Sequence, residues 1–221
     1  PLARILLPVL IVKESNKKRY FLMGIYILML IYLYLCGALK SIFIGLIATI
    51  FFYNGTYTQK TLRFIKGVAF LTYVGVITYY LFDSIFLLDA LGRRVFFVPP
   101  QLGNLYYNFF KHKLTFLSHS PFGLGIVKYP YDRPITKYFG EIVIGKPGLN
   151  ANVGIFTEGL FSFGFLGGVT GALIASLIFL YFNMIKIDKK YFGIIFVYIY
   201  YINTSLLSTL LLTHGLFFLM V

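Results

Sequence analysis

The chain has 221 residues, of which 59% are hydrophobic and 12% charged, with a formal net charge of +13 and a mean hydropathy of +0.82. Soluble globular proteins carry about 25% charged residues, so this composition excludes a soluble globular protein and indicates an integral membrane protein. The run "YFLMGIYILMLIYLYLCGAL", Tyr20 to Leu39, is apolar on every face, whereas barrel strands alternate in polarity over about ten residues. The sequence therefore predicts an all-α fold, a polytopic transmembrane helical bundle.

Apolar segments recur along the chain at lengths that suit membrane helices. They predict a partial helix over residues 1–12 and helices near 20–38, 41–54, 67–83 and 160–183. The tail 191–221 carries no charged residue and is too long for one span, so it predicts two helices. Because the chain begins and ends inside apolar runs, we expect it to be a fragment of a larger polytopic protein.

Basic residues concentrate in alternate short loops. The segments "KESNKKR", "QKTLRFIK" and "KIDKK" together hold ten lysines and arginines, whereas the short connection after the helix at 20–38 holds Lys40 alone. The positive-inside rule places the three basic loops in the cytoplasm. The chain would then divide into transmembrane helices at 1–83, one long extracytoplasmic loop at 84–159 and further transmembrane helices at 160–221.

The long loop is rich in phenylalanine and tyrosine, which disordered segments lack. It is therefore expected to fold against the mouth of the bundle or to lie in the membrane interface. An interfacial aromatic belt accounts for most of these rings, and stacking on sugar rings is the alternative use. The sequence does not separate the two uses residue by residue.

Two adjacent arginines, Arg93 and Arg94, lie in the aromatic segment "LGRRVFFVPPQLGNLYYNFF". Pro99 and Pro100 are expected to end any helix there and to fix the local backbone. A guanidinium group offers planar paired donors that match phosphate oxygens, so the pair predicts a site for a pyrophosphate carried on a lipid. For either arginine alone, snorkelling toward lipid headgroups is an equal alternative.

Five of the seven acidic residues fall in or beside the long loop. None lies in the hydrophobic middle of a predicted helix, which counts against a proton-coupled or sodium-coupled transporter. Glu158 comes just before a predicted membrane helix, near its electropositive N-terminus, and is expected to face the same compartment as the arginines. Gly164, Gly168 and Ala172 form a small-residue stripe that predicts close helix packing.

Metal and nucleotide chemistry find no support in the sequence. His112 and His119 lie in the loop without a third ligand at metal spacing, and the only cysteine, Cys36, lies in a predicted helix. No glycine-rich loop of the phosphate-binding type occurs, so a nucleotide-sugar donor is not predicted. We expect neither a metal nor another cofactor.

Three segments in this order resemble the bacterial O-antigen and capsular oligosaccharide repeat-unit polymerases of the Wzy type. They are "GRRVFFVPPQLGNLYYNFF" with the long loop after it, "ANVGIFTEGLFSFGFLGG" opening a membrane helix, and "NTSLLSTLLLTHGL" in the tail. The resemblance covers roughly Leu87 to Gly215. Related O-antigen ligases commonly carry a histidine before the asparagine of the second motif. Here Ala151 precedes Asn152, which favours the polymerase.

The resemblance implies metal-independent glycosyl transfer on the outer face of the bacterial inner membrane, in a multi-pass protein. A growing glycan on undecaprenyl pyrophosphate would be transferred to a hydroxyl of a new lipid-linked unit. The resemblance implies that Arg93, Arg94 and Arg133 bind the pyrophosphate. The implied general base is Glu158 or, as second choice, Asp132. Asn152, Tyr106 and Tyr107 would contact the glycan.

The implied partners are the undecaprenyl-pyrophosphate-linked oligosaccharide, membrane lipids, and flippase and chain-length regulator proteins, with no nucleic acid among them. Three alternatives stay open at this point. They are a flippase or transporter of lipid-linked oligosaccharides, an O-antigen ligase, and a structural membrane subunit without catalytic loop chemistry.

Overall fold

The computed structural model describes residues 2–37, 41–185 and 187–220. Within these ranges all regular secondary structure is helical and no strand occurs, in agreement with the predicted all-α class. Lys40 and Lys186 were counted among the basic residues that predict the membrane topology, and they lie outside the described residues.

The first four helices follow the predicted apolar runs. A π-helical turn, Leu2–Leu6, leads into α1, Leu7–Asn16; α2, α3 and α4 follow as Tyr20–Gly37, Ser41–Phe51 and Tyr57–Phe82. Helix α4 starts about ten residues before its predicted bound. The reason is that its polar first turns, "YTQKTLRFIK", contain good helix formers even though they are not apolar enough to suggest a membrane span.

Much of the long loop is helical. The three-residue helix α5, Phe86–Leu88, runs into a π-helical stretch, Asp89–Phe97, and then into α6, Val98–Phe110. Pro99 and Pro100 lie in the first turn of α6, where a missing backbone N–H costs least. The expectation that the two prolines end any helix there was therefore wrong, because both lie inside the first turn of α6, which begins at Val98.

The elements that follow α6 are short, with the exception of the long helix α8. A 3-10 turn, Pro121–Gly123, precedes α7, Ile135–Tyr138, which continues as a π-helical turn, Phe139–Val143. Helix α8 is Ile155–Met184, and after a 3-10 turn, Lys189–Tyr191, α9 is Phe192–Thr204. The tail ends with a π-helical turn, Thr209–Thr213, and α10, Leu216–Met220.

The chain forms two compact units. The first comprises Pro1–Thr56, Ser176–Ile202 and Leu207–Val221, and the second comprises Tyr57–Ala175 and Asn203–Leu206. The second unit thus joins α4 to the segment after it, because Leu87 and Leu88 pack against Gly75 of α4. This grouping differs from the predicted division at residues 83 and 159.

Each unit has its own apolar core. In the first unit Leu7, Ile11, Leu30 and Leu46 pack together. In the second unit the core is aromatic: it contains Tyr106, Phe110, Phe139 and Phe161, each with no measurable exposure. Tyr106, Phe110 and Phe139 belong to the predicted long loop, so the loop is a folded structure and not a linker.

Two helices, α4 and α8, are long and apolar enough to cross a membrane, and α2 is a shorter apolar helix. Only 6% of the most apolar window of α4 is buried. A core helix of a soluble protein would be covered on most faces, so α4 is an apolar helix with an exposed apolar surface.

Helix α8 is a hairpin. Its backbone leaves the helical region at Phe163 (φ −135°, ψ 17°) and Gly164 (φ 68°, ψ −150°). A Cβ added to Gly171 would lie 2.7 Å from the carbonyl oxygen of Ile155, although residues 16 apart in a straight helix are separated by about 24 Å. The short arm, residues 155–162, therefore runs antiparallel to the start of the long arm, residues 165–184.

The glycines of the predicted small-residue stripe take two different roles in this hairpin. Gly168 packs against Leu160 and Phe156 of the short arm, as close packing requires. Gly164 instead forms the turn with a positive φ. The long arm alone has about 20 residues and a length of roughly 30 Å, enough for the hydrocarbon core of a bilayer.

Candidate functional site

A histidine and a glutamate form a buried pair in the second unit. The Nε2 atom of His119 lies 3.0 Å from Oε1 of Glu158. Their side chains are 1% and 3% exposed, respectively. Glu158 lies on the short arm of α8, and His119 lies on the loop that follows α6. A carboxylate and an imidazole in hydrogen-bond contact can hold or pass a proton.

Backbone hydrogen bonds hold this loop against the hairpin. The N–H groups of Thr115 and Phe116 donate to the carbonyls of Phe161 and Ser162, each at 3.1 Å. These carbonyls end the short arm and have no partner within a helix, so the loop caps the hairpin while the hairpin orders the loop. His119 follows four residues after Thr115, in a turn closed by the bond from Ser118 N–H to the Thr115 carbonyl at 2.9 Å.

Two hydroxyl groups complete the polar cluster. Oγ1 of Thr115 lies 3.5 Å from Nδ1 of His119 and 3.3 Å from Oγ of Ser162. The ring of Phe161 lies 5.0 Å from the His119 ring, centroid to centroid. The imidazole therefore has a carboxylate near one nitrogen, a hydroxyl near the other and an aromatic ring beside it. These contacts fix the orientation of the ring.

The surroundings of Glu158 differ from those predicted. It was expected just before the membrane helix; it is instead the fourth residue of the short arm, and its buried side chain contacts His119. The expectation that it faces the same compartment as the arginines stays a prediction. From the sequence, His119 was considered only as a metal ligand, and its contact with Glu158 was not predicted. The two residues are 39 positions apart, and no local spacing connects them.

Arg93 lies on the π-helical stretch and is exposed to solvent. Its guanidinium forms an ion pair with Asp89, four residues earlier, and this hydrogen bond raises the pKa of Arg93. The side chain of its neighbour Arg94 is outside the described part of the chain. The predicted pyrophosphate role of both arginines stays a prediction.

Arg133 is already engaged by two carboxylates. It donates to Asp132 at 3.0 and 2.6 Å and to Oε2 of Glu141 at 2.5 Å. The other oxygen of Glu141 accepts a hydrogen bond from the N–H of Gly148 at 3.3 Å. We call Asp132, Arg133 and Glu141 the loop clasp, because they connect two parts of the loop.

The loop clasp affects the choice of general base. The hydrogen bond from Arg133 lowers the pKa of Asp132 below its usual value. A carboxylate with a lowered pKa is a weaker base. Asp132 is therefore a poorer candidate for the general base than a carboxylate with an ordinary pKa.

Tyr106, which was predicted at the glycan, lies in the aromatic core, and its glycan role stays a prediction. Its side chain is completely buried, stacked on Phe139 with ring centroids 3.7 Å apart, and its hydroxyl donates to the Ala151 carbonyl at 2.8 Å. Burial raises its pKa. Tyr106 thus fixes the segment before the short arm, whereas Tyr107 and Asn152 are exposed and their predicted glycan role stays a prediction.

Among the described residues, no three of the His, Cys, Asp and Glu side chains come together as a metal site would require. Comparison of the chain with protein-family models, with curated proteins and with solved structures gives no match. The resemblance to the repeat-unit polymerases therefore depends on the quoted segments alone.

Proposed function

We propose that the chain is an integral membrane polymerase that joins undecaprenyl-pyrophosphate-linked oligosaccharide repeat units on the outer face of the bacterial inner membrane. The observation that carries the proposal is the buried pair of His119 and Glu158. Glycosyl transfer to a sugar hydroxyl needs a general base, and this pair supplies one without a metal.

The proposed multi-pass location is supported by the apolar surface of the helices. Tyr80, Leu81 and Phe70 of α4 are 80%, 69% and 64% exposed, and Phe21 of α2 is 82% exposed. Soluble monomers rarely expose contiguous apolar patches of more than a few hundred Å². Lipid acyl chains would cover these side chains at no cost in hydrophobic free energy.

The proposed reaction exchanges one bond at the anomeric carbon for another and moves one proton. The acceptor hydroxyl transfers its proton to the His119 and Glu158 pair while its oxygen forms a bond to the anomeric carbon of the donor glycan. The bond between that carbon and the pyrophosphate oxygen breaks, and the electron pair leaves with the lipid pyrophosphate. Fixed cations would stabilise the negative charge that develops on the leaving group.

Arg93 would supply such a cation. It is exposed, and its present partner Asp89 is a carboxylate on the same helical face. An exposed ion pair contributes little free energy, so a pyrophosphate, with more charge and more acceptors, would compete well for the guanidinium. Arg133 would contribute only if phosphate replaced Asp132 or Glu141 in the loop clasp.

The test is complementation of a strain that lacks the gene, using the intact protein with Glu158→Gln or His119→Gln. We expect loss of the polysaccharide ladder on a gel while a single repeat unit still caps the core. Asp83→Asn, which neutralises an exposed carboxylate outside the pair, is the matched control and should leave the ladder unchanged. A full ladder in both pair variants, at equal membrane expression, would refute the assignment.

Burial of the pair requires a second measurement. Removing one partner of a buried charged pair can destabilise a protein by about 3–5 kcal/mol, and a misfolded polymerase would also lose its ladder. Melting of each purified variant in detergent separates the two effects. A catalytic role predicts loss of the ladder in a variant that keeps the parent melting temperature.

One observation favours a second candidate, a proton-coupled flippase for the same lipid-linked units. The hairpin places Glu158 beside the first turns of the long arm, so this carboxylate lies along a membrane-length helix and not before it. Carboxylates and histidines buried within membrane-spanning segments are typical of proton relays. Loss of even the single repeat unit in Glu158→Gln would support the flippase over the polymerase.

A further inference from the structure

The loop between α6 and α7 contains an exposed apolar segment, residues 121–127, which we call the apolar tip. Leu124 and Ile126 in this tip are 81% and 83% exposed, and Phe122 is 42% exposed. Two aliphatic side chains held almost entirely outside a folded protein lose the free energy that burial would give them. The apolar tip therefore has the character of a contact surface.

The backbone of the apolar tip is ordered by successive turns. The N–H groups of Gly123, Leu124 and Ile126 donate to the carbonyls three residues earlier at 3.0, 3.1 and 3.0 Å, respectively. Gly123 packs so closely on Leu117 that an added Cβ would lie 2.4 Å from its carbonyl oxygen. Leu124 is held at φ 51°, a left-handed conformation that is uncommon for a bulky residue. The two aliphatic side chains are thus presented by a fixed frame.

The apolar tip is linked to the turn of the α8 hairpin through Leu117, on which Gly123 packs, and the neighbouring Phe116. The ring of Phe116, just before the close contact at Leu117, lies 6.0 Å from the ring of Phe163 at the hairpin turn, centroid to centroid. Phe165 and Leu166, which begin the long arm, are 76% and 75% exposed. The exposed apolar side chains therefore continue from the long arm toward the loop.

The charges around the apolar tip match a lipid surface. Lys113 and Lys128 bracket it, both exposed, and no acidic residue occurs between them. Lysines beside an apolar segment extend toward phosphate headgroups while the apolar side chains enter the acyl region. A water-soluble protein partner would not require this combination.

We propose that the apolar tip inserts Leu124 and Ile126 into the membrane that the long arm of α8 crosses, with Lys113 and Lys128 at the headgroups. The tip would fix the depth, relative to the bilayer, of the loop that follows α6, and with it the depth of His119. The proposal depends on the membrane location of the chain and does not depend on its catalytic activity.

The chain contains no tryptophan, so a single introduced tryptophan reports its own surroundings. Leu124→Trp and Ile126→Trp would be reconstituted separately in vesicles that contain lipid brominated either near the headgroup end of the acyl chain or near the bilayer centre. Lys146→Trp, at an exposed polar site of the long loop, is the aqueous control. Leu177→Trp, at a 62% exposed site on the long arm, is the membrane control.

We expect both tip reporters to emit at shorter wavelength than the Lys146→Trp control and to be quenched more by bromine near the headgroups than by bromine at the centre. Iodide in the buffer should quench the Lys146→Trp control and not the tip reporters. Quenching of both tip reporters by iodide and not by bromolipid would overturn the proposal. Protection from both quenchers would also overturn it, because it would show that protein covers the tip.

Discussion

Gly159 and Gly167 face each other across the two arms of α8 so closely that neither can carry a side chain. A Cβ added to Gly159 would lie 1.9 Å from the carbonyl oxygen of Gly167, and a Cβ added to Gly167 would lie 2.0 Å from that of Gly159. In each case the obstacle is backbone, which cannot move away as a flexible side chain can. This contact is what allows the short arm, and Glu158 on it, to lie along a membrane-length helix.

The first prediction is that Gly159→Ala destabilises the hairpin. Overpacking a close contact costs roughly 1–3 kcal/mol, and we expect at least that loss as a lower melting temperature in detergent. Gly24→Ala is the matched control, since among the described residues no atom lies within 4 Å of its Cβ position and alanine favours a helix by about 1 kcal/mol over glycine. Equal melting of Gly159→Ala and the parent would contradict the hairpin.

A second prediction isolates the turn of the hairpin. Gly164 has φ 68° and ψ −150°, a region that is essentially restricted to glycine, and another residue there costs about 1–3 kcal/mol. No described atom lies within 4 Å of its Cβ position, so Gly164→Ala should lower the melting temperature through backbone strain alone. Gly92→Ala, equally open but helical, should not lower it.

The helix positions could be predicted because hydropathy and length determine them locally. The runs at 20–38 and 41–54 correspond to α2 and α3, because each apolar run is itself the element. The hairpin could not be predicted, since "IFTEGLFSFGFLGG" is mostly apolar and its glycines indicate close packing as readily as a turn. The chain reverses at Phe163 and Gly164, and the two arms can pack because glycines eight residues apart allow their backbones to touch.

Contacts that depend on tertiary folding also could not be predicted, because no local sequence pattern marks them. Tyr106 and Tyr107 are neighbours in the sequence, yet the first is buried on Phe139 and the second is exposed. The aromatic composition of the loop predicted order and not which ring would be inside. The partner of Glu158 is a histidine in another element, which only the folded chain brings near.

A third prediction concerns the loop clasp and acid. Arg133 lowers the pKa of Asp132, so the carboxylate stabilises the clasp above its ordinary pKa of about 4 and loses this contribution as the pH falls through the lowered value. Arg133→Gln should return the pKa of Asp132 toward about 4, measured by carboxylate NMR in labelled protein. It should also expose residues 129–148 to limited proteolysis at neutral pH.

The matched control for the loop clasp is Lys137→Gln, which removes a nearby exposed positive charge that takes no part in the clasp. Its Asp132 titration should match that of the parent. An unchanged Asp132 titration in Arg133→Gln would mean that the ion pair is not populated in solution. The guanidinium of Arg133 would then be available to bind phosphate.

The fourth prediction tests the adjacent arginines by complementation with Arg93→Ala and Arg94→Ala in the intact protein. If they hold the pyrophosphate, the ladder should be lost while a single repeat unit still caps the core. Lys111→Ala is the matched control for loss of one exposed positive charge from the loop. Asp89→Asn should preserve the ladder, because it removes only the partner with which phosphate would compete for Arg93.

The outcome of the arginine experiment separates three functions. An unchanged ladder in both arginine variants would assign these residues to headgroup anchoring, where a neighbouring cation can substitute for either one. Loss of even the single repeat unit would place the arginines in export or ligation, since those steps must deliver the unit to the core before its length matters. Only selective loss of the longer chains identifies the polymerising step, because joining repeat units is the one step that a single capped unit does not require.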